Sequence, residues 1–587
     1  MKTHPKPLLM LLAACALIGS SAGARAQTES LTSLYSFPGY PNGSQPYGGL
    51  TLGKDGNYYG TTVGGGAHSA GTVFKMAPDG AVTVLYSFDN TEGANPYGKL
   101  ALGSDGNFYG TTAYGGAHND GTVFVVTPSG GFSSLYSFSG ADGQKPVSAL
   151  VEGPDGAFYG TTNAGGNGGG TIFKITTSGT LTTLHSFTGL NGDGYYSPAP
   201  LILASDGNFY GTTEQGGTGG RGTVYRITPQ GTFTVLHSFL TTSADGQYPK
   251  GGLVQGRDGS FYGLTYSGGA YSFGTVYKMT PAGAVTLLHS FTAEGSSPPY
   301  PNKDGAYPDA ELIQACDGYF YGTTEQGGTN GGGVLFKISS TGAFTTIHSF
   351  STQGANTDGS FPKCTLLQGP DCNLYGTAYA GGPANIGTVY RLNFAPVFQS
   401  ISPTWTNAAG PSFTLIVKGD CFANGSIAQW NGTALTTTYV SETQLKASVP
   451  ASLIASQGTA KVTVQNPTGG VSAAKTFTIV LTTLKVTGIT LTRSSATGVI
   501  TANVSLQNVG YLAAPNVAIT GASLNGVSTS TTLPVSVGNL AVGATATPSV
   551  SFPGSAGAIG AIVYLKVWGT FTGTGGKFSA ALKVTLP

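Results

Sequence analysis

Seven side chains stand where this sequence offers chemistry: Tyr114, Glu214, Gln215, Tyr266, Glu325, Gln326 and Tyr379. They fall just behind copies of one nearly invariant phrase, at a position pair where the copies disagree (Ala113-Tyr114, Asn163-Ala164, Glu214-Gln215, Tyr266-Ser267, Glu325-Gln326, Tyr379-Ala380). A tyrosine offers an apolar face and a hydroxyl, and Glu and Gln add acceptors and donors. Such residues around one pocket suit stacking on, and hydrogen bonding to, a sugar. Glu214 and Glu325 are the only carboxylates nominated for hydrolysis, which needs two carboxyls roughly 5–10 Å apart across one glycosidic bond. Another repeat separates them, which argues against that chemistry. Ordinary solvated loop variation is the third reading.

Other groups point to structure rather than catalysis. His185, His237, His289 and His348 replace Tyr in a recurring Leu-Tyr-Ser-Phe phrase and read as half-exposed polar rings. His68 and His118 each follow Gly-Gly-Ala in a loop within reach of a ligand, but no carboxylate spacing accompanies them, so no metal and no cofactor is expected. Asp55, Asp105, Asp155, Asp206, Asp258, Asp317 and Asp371 open turns, mostly as Asp-Gly, and turn chemistry is preferred over a cation ring. Gly19–Gly23 fits G-x-S-x-G and Gly217–Gly222 fits G-x-G-x-x-G, but neither has the strand and helix that such motifs require. Gly576-Lys577-Phe578 lacks the hydroxyl of a phosphate loop. No catalytic residue is assigned.

The elements that position these loops follow from the repetition. "SDGNFYGTT" occurs at Ser104–Thr112 and Ser205–Thr213, with five near-copies elsewhere. Its glycine falls at 60, 110, 160, 211, 263, 322 and 376, at intervals of 50, 50, 51, 52, 59 and 54 residues. Four short β-like runs per interval predict a propeller blade. In the second unit they are Leu100–Leu102, Phe108–Thr112, Gly121–Val126 and Phe132–Phe138. Asp-Gly joins the first two as a hairpin whose central positions favour positive φ, and the Phe-Tyr pair reads as packing between blades. Strand order sets the variable pairs and the inter-unit connections on one face, including Tyr195-Tyr196 and the longer Ser296–Tyr307 segment. The phrase Leu31–Phe37 precedes the first unit, while the last unit lacks its fourth strand. The first phrase is therefore expected to complete the last blade and remove an open edge.

The pattern "LYSF…DG…P…L…DGNFYGTT…GG…GTVF" resembles the Gloeo/Verruco (GloVer) tandem repeat of exported bacterial proteins, across all seven units. It departs at Leu264, Ala378 and Cys372. The resemblance implies export and repeat architecture and brings no catalytic residues.

Composition agrees with an all-β chain: 94 Gly, 11% aromatic and only 9% charged residues. With Lys+Arg at 26 against Asp+Glu at 25 there is no basic excess for nucleic acid. Residues 1–26 read as a signal peptide, with Lys2 and Lys6, an apolar run Leu8–Ile18, and Ala24-Arg25-Ala26 before Gln27. Leu12-Ala13-Ala14-Cys15 also fits a lipobox, so secretion and lipid tethering through Cys15 both stand. No membrane span is expected. Cys316 and Cys372 occupy equivalent turns, where a disulfide is conceivable, but separate thiols are preferred. Cys421 is expected to have no partner.

The expected architecture is all-β: a seven-bladed β-propeller over 28–394, then two immunoglobulin-like sandwiches. Residues 395–480 resemble an IPT/TIG domain through Ser402-Pro403, the Trp430-Asn431-Gly432 hairpin and the strand around Phe477. Residues 481–587 alternate apolar and polar over about seven short runs, as in a second sandwich. The function expected is non-catalytic recognition of an extracellular glycan or protein by a monomer. A polysaccharide hydrolase or lyase, or a structural envelope component, is the alternative.

Overall fold

The computed structural model describes residues 30–189, 192–241, 245–292, 301–352, 357–468, 470–572 and 576–587. The signal-like segment, Cys15 and the Gly19–Gly23 phrase lie outside the described residues, as does part of the Ser296–Tyr307 segment. The fold is all-β, with only two single-turn 3-10 segments, Ala451–Ile454 and Gly554–Ala556, among the described residues. None of the described helices is long and apolar enough to cross a membrane.

Seven four-stranded antiparallel sheets follow one another along the repeats. Six are consecutive meanders; the second, for example, is Ala101–Leu102, Phe108–Thr112, Thr122–Val126 and Phe132–Ser137. The seventh joins Leu367–Gln368, Leu374–Ala378 and Thr388–Asn393 to Ser30–Ser36, which pairs antiparallel with Thr388–Asn393. All seven second strands are buried throughout, so both of their faces are covered.

The invariant phrase works as one unit. Of each Asp-Gly pair only the Gly takes a positive φ, so the loop has three residues, closed by bonds such as Gly53 N–H to the Asn57 carbonyl at 2.8 Å. Cys372 takes the glycine's place in the seventh unit, at φ 65°. In every unit the Asp carboxylate accepts the backbone N–H two residues on. It also accepts the hydroxyl of the Tyr four residues on, at 2.8–2.9 Å. Burial alone pushes the Asp155 carboxyl up, but bonds from Lys174 and Tyr159 outweigh it and hold the group below its ordinary range.

The same tyrosines join neighbours. Tyr59, Tyr109, Tyr159, Tyr210 and Tyr262 lie against the next unit's Phe at 3.9–4.2 Å between ring centroids. Such contacts are each worth about 0.5–1.5 kcal/mol beyond buried area. Tyr375 of the seventh unit meets Tyr58 of the first at 4.4 Å. The first Thr of the phrase donates to the next unit's entry segment (Thr111 to Ser148 O, 2.9 Å), and Thr377 donates to Gly48 O at 3.3 Å. The seventh sheet therefore packs on the first.

The four histidines are not free polar rings. His185, His237, His289 and His348 face Asp193, Asp245, Asp304 and Asp358 at 3.7, 2.7, 2.9 and 2.5 Å. Tyr136 bonds Asp142 in the equivalent place. The missed signal was an Asp in the variable connection that follows.

Beyond the repeats lie two pairs of sheets, each pair sharing one core. The first core is built on Leu415, Trp430, Leu445, Val462 and Phe477, and the second on Val504, Ile519, Phe552 and Leu565. Asn431 and Gly432 turn the expected hairpin at φ 51° and 85°. The cysteine expectation is corrected: Cys421 is not unpartnered and Cys316 does not pair with Cys372. Cys316 is disulfide-bonded to Cys421, while Cys364 and Cys372 are buried thiols. Cys421 enters a wall formed by Cys316, Cys372 and Ala423, which is how a residue 105 positions away reaches the turn of the sixth unit.

Two outcomes are expected. Closing a 105-residue loop corresponds to about 4–5 kcal/mol in the chain-entropy account. Cys421→Ser should therefore lower the urea midpoint by a matching amount; non-reduced peptide maps linking Cys316 to Cys372 would contradict the assignment. Tyr262→Phe keeps the stacked ring but deletes the bond to Asp258, and should cost about 1–2 kcal/mol in urea unfolding.

Candidate functional site

A strained corner leads into each unit. Gln45, Asn95, Lys145, Tyr196, Tyr248, Tyr307 and Phe361 hold φ between 53° and 59°. Six of them precede proline, and a non-glycine residue in this region costs on the order of 1–3 kcal/mol. Two backbone bonds hold each corner. Its N–H donates to the preceding unit's loop, as Asn95 does to Ala70 O at 2.8 Å and Gln45 to Ile386 O at 2.7 Å. Its carbonyl accepts from the first residue of its own unit's variable pair, including Glu214 (2.7 Å), Tyr266 (2.9 Å), Glu325 (3.1 Å) and Tyr379 (3.2 Å).

The chain then runs along the wall of a cavity of about 260 Å³ lined by all seven units. Its two sides differ. Units two to four supply Tyr97, Val147, Ala149, Pro198 and Pro200, with Lys99 among them. Units five to seven supply Lys250, Asp309, Glu311, Lys363 and Thr365. Backbone approaches closely along the wall and requires glycine there: a Cβ on Gly251 meets the Ala310 carbonyl at 2.2 Å, and one on Gly49 meets the Thr365 carbonyl at 2.3 Å.

Four of the seven sequence candidates gather beside this wall. Lys250 Nζ lies 4.0 Å from Glu214 and 3.6 Å from the Tyr266 ring centre. Lys363 Nζ lies 2.8 Å from Glu325 and 5.5 Å from the Tyr379 ring centre. Tyr47 donates its hydroxyl to Asp309 at 2.7 Å and packs edge-on to Tyr97. Tyr114, Gln215 and Gln326 do not line the cavity. They are the second members of their pairs, bridged through their backbones to Ala94, Tyr195 and Ala306, and Tyr114 sits under Lys145 instead. His68 and His118 are exposed in the loops and also stand apart from the wall.

Sequence reasoning missed Lys99, Lys250, Asp309, Glu311 and Lys363. Their signal was available: they occupy the first and third places after the corner proline, where the units carry Tyr-x-Gly, Tyr-x-Lys, Val-x-Ala, Lys-x-Gly, Asp-x-Glu and Lys-x-Thr. Glu214 and Glu325 are thus not the only carboxylates at hand, and both are engaged by lysines.

The walls exclude enough water to shift these groups although each keeps some surface toward the cavity. Burial pushes the Glu311 carboxyl up to about 7, against the opposing pull of Lys99 and a bond from Thr365. Burial also raises Asp309, with Tyr47, Lys250 and Lys363 opposing, and lowers Lys99. Burial and the neighbouring Glu325 and Asp309 charges push the Tyr266 hydroxyl up to about 12. Among the described residues no group of three or more His, Cys, Asp and Glu is placed to hold a metal ion.

The sequence model of the Gloeobacter/Verrucomicrobia repeat matches residues 23–167, 130–303 and 300–439. No curated protein matches this sequence. Solved structures similar to it include a fungal alcohol oxidase of the AA5 family in complex with copper (14% identity, 77% of this chain and 98% of that one, TM-score 0.42). An auxiliary nutrient binding protein from Bacteroides ovatus (12%, 62% and 77%, TM-score 0.35) and dipeptidyl peptidase 4 of Porphyromonas gingivalis (11%, 79% and 65%, TM-score 0.32) are also similar.

Glu311 holds its proton more tightly in the folded chain than in the unfolded one, where its pKa is near 4.5. Its contribution is therefore most favourable below about pH 4.5, declines as pH rises toward 7, and is flat above. The decline is on the order of 3 kcal/mol. Urea midpoints should show it as a difference between wild type and Glu311→Gln; parallel pH profiles through that window would contradict it.

Proposed function

The chain belongs to the Gloeobacter/Verrucomicrobia repeat family, and from that premise we propose that it is an exported, non-catalytic binding protein that takes one sugar ring of an extracellular glycan into the cavity. The repeats form a seven-bladed β-propeller with the cavity on its axis, carried by two immunoglobulin-like sandwiches, the first of the IPT/TIG type. The leader-like residues 1–26 account for export, with release or tethering through Cys15 as its two forms.

One observation carries the reading: the cavity is two-sided and is built where the copies vary. Tyr97, Val147 and Pro198 offer apolar surface opposite Lys250, Asp309 and Lys363. A pyranose has this same division, with C–H faces that pack on aromatic and apolar surface and edges of hydroxyls that both donate and accept. At about 260 Å³ the cavity is smaller than the roughly 300–1,000 Å³ of sites for drug-sized ligands, so it suits one ring or one side chain. An extracellular protein inserting a side chain is the corresponding alternative. The raised carboxyls of Glu311 and Asp309 favour a second reading, a polysaccharide hydrolase, because a general acid must hold its proton near neutrality.

Binding of the full chain to a glycan array, measured with release of reducing ends, separates these. Tyr97→Ala and Tyr266→Ala should each weaken glycan binding at least tenfold with the β-sheet circular dichroism unchanged. Undiminished binding by both variants would contradict the site. Turnover that disappears in Glu311→Gln would establish the hydrolase instead.

A further inference from the structure

Three lysines line the cavity, and two of them are already occupied. Lys250 stands against Glu214 and the Tyr266 ring, and Lys363 against Glu325. Lys99 differs. Its side chain runs along the wall beside Gly49, where its Cδ is 3.6 Å from the Cβ position of that glycine. Among the described residues its ammonium makes neither a hydrogen bond nor an ion pair within 4.0 Å. The carboxylate whose charge acts on it is that of Glu311, from the sixth unit.

We propose that Lys99 anchors a carboxylate of the ligand, so that the cavity selects an acidic sugar, a hexuronate unit, over its neutral counterpart. The proposal rests on the glycan reading above and narrows it.

A half-buried ammonium without a partner is costly, and a carboxylate arriving beside it forms a charge-assisted hydrogen bond of the strong kind. Glu311 does not supply that partner: it lies beyond ion-pair distance, it accepts a bond from Thr365, and near neutrality part of its population is protonated. The other anions nearby do not bar an acidic ligand. Glu214 and Glu325 are neutralised by lysines, and Asp309 faces the Tyr47 hydroxyl, Lys250 and Lys363. The apolar wall of Tyr97, Val147 and Pro198 is left for the sugar face.

A pH signature follows. An ionised Glu311 competes for Lys99 and repels the incoming carboxylate, so binding draws a proton onto Glu311. Affinity for the acidic sugar should rise as pH falls from 8 to 6, and this rise should flatten in Glu311→Gln.

The test is calorimetric titration of the full chain with galacturonate and galactose oligomers of equal length. Wild type should bind the acidic oligomer at least tenfold more tightly. Lys99→Met should abolish that preference, bringing the ratio of the two affinities to about one, and Lys99→Arg should retain it. Equal affinity of wild type for the two oligomers, or a preference that persists in Lys99→Met, would overturn this proposal and leave the glycan reading standing. Failure to bind any oligomer here or on the array would remove both. The wild-type comparison and its pH dependence decide the matter even where a Lys99 variant does not fold.

Discussion

Each repeated tyrosine is held at two points. Its hydroxyl donates to the Asp of its own turn, and in most units its ring lies against the next unit's Phe. The first contact fixes the hairpin that starts a sheet; the second fixes that sheet against its neighbour. Because the same side chain makes both, the angle between turn and neighbour is set locally and repeats. Everything else depends on it: the buried second strands, the Thr bond to the next entry segment, and the return of the seventh sheet onto the first through Tyr375 and Tyr58.

That arrangement separates the residues that hold the fold from those that line the cavity. The strained corners lie at the boundary between the two. Each is kept in an unfavourable conformation by one bond to the unit before and one to its own loop. Backbone strain held by surrounding structure is commonly found at binding sites. Here it fixes the path of the main chain while the side chains one and three places past the proline change from unit to unit. The charged pair Asp309 and Glu311 and the apolar pair Pro198 and Pro200 are therefore accommodated by the same backbone corner.

Much of this was legible in the residues. The period of the phrase, the four strands per unit and the closure by Ser30–Ser36 follow from counting copies, because β periodicity and turn residues act locally. That Glu214, Tyr266, Glu325 and Tyr379 lie on one face was legible because strand order alone decides which loops share a face. What was missed depends on distance. Glu311 and Lys99 sit in short entry segments that read as ordinary spacers until two hundred residues of chain bring them into one cavity. The sequence reads the repeat equivalents Cys316 and Cys372 as separate thiols and leaves Cys421 without a partner, whereas Cys316 pairs with Cys421, which comes from outside the repeats. The histidines' aspartates lie 8 to 15 residues downstream, in connections of differing length, so no fixed spacing announced them.

The pairing of Ser30–Ser36 with Thr388–Asn393 also bears on how the protein is made. Ser30–Ser36 is synthesised ahead of the seven units and finds its partner only after the seventh has followed; Ser30 and Asn393 are 363 positions apart. Through nearly all of that synthesis the first strand waits unmatched, and the growing stack presents a fresh flank after every unit. Such flanks pair with other chains when left uncovered. An incomplete chain is therefore a sticky one, and a premature stop anywhere before Thr388 yields a product prone to join its own kind. Completion of the last few strands, rather than the stability of any single sheet, is what covers that flank.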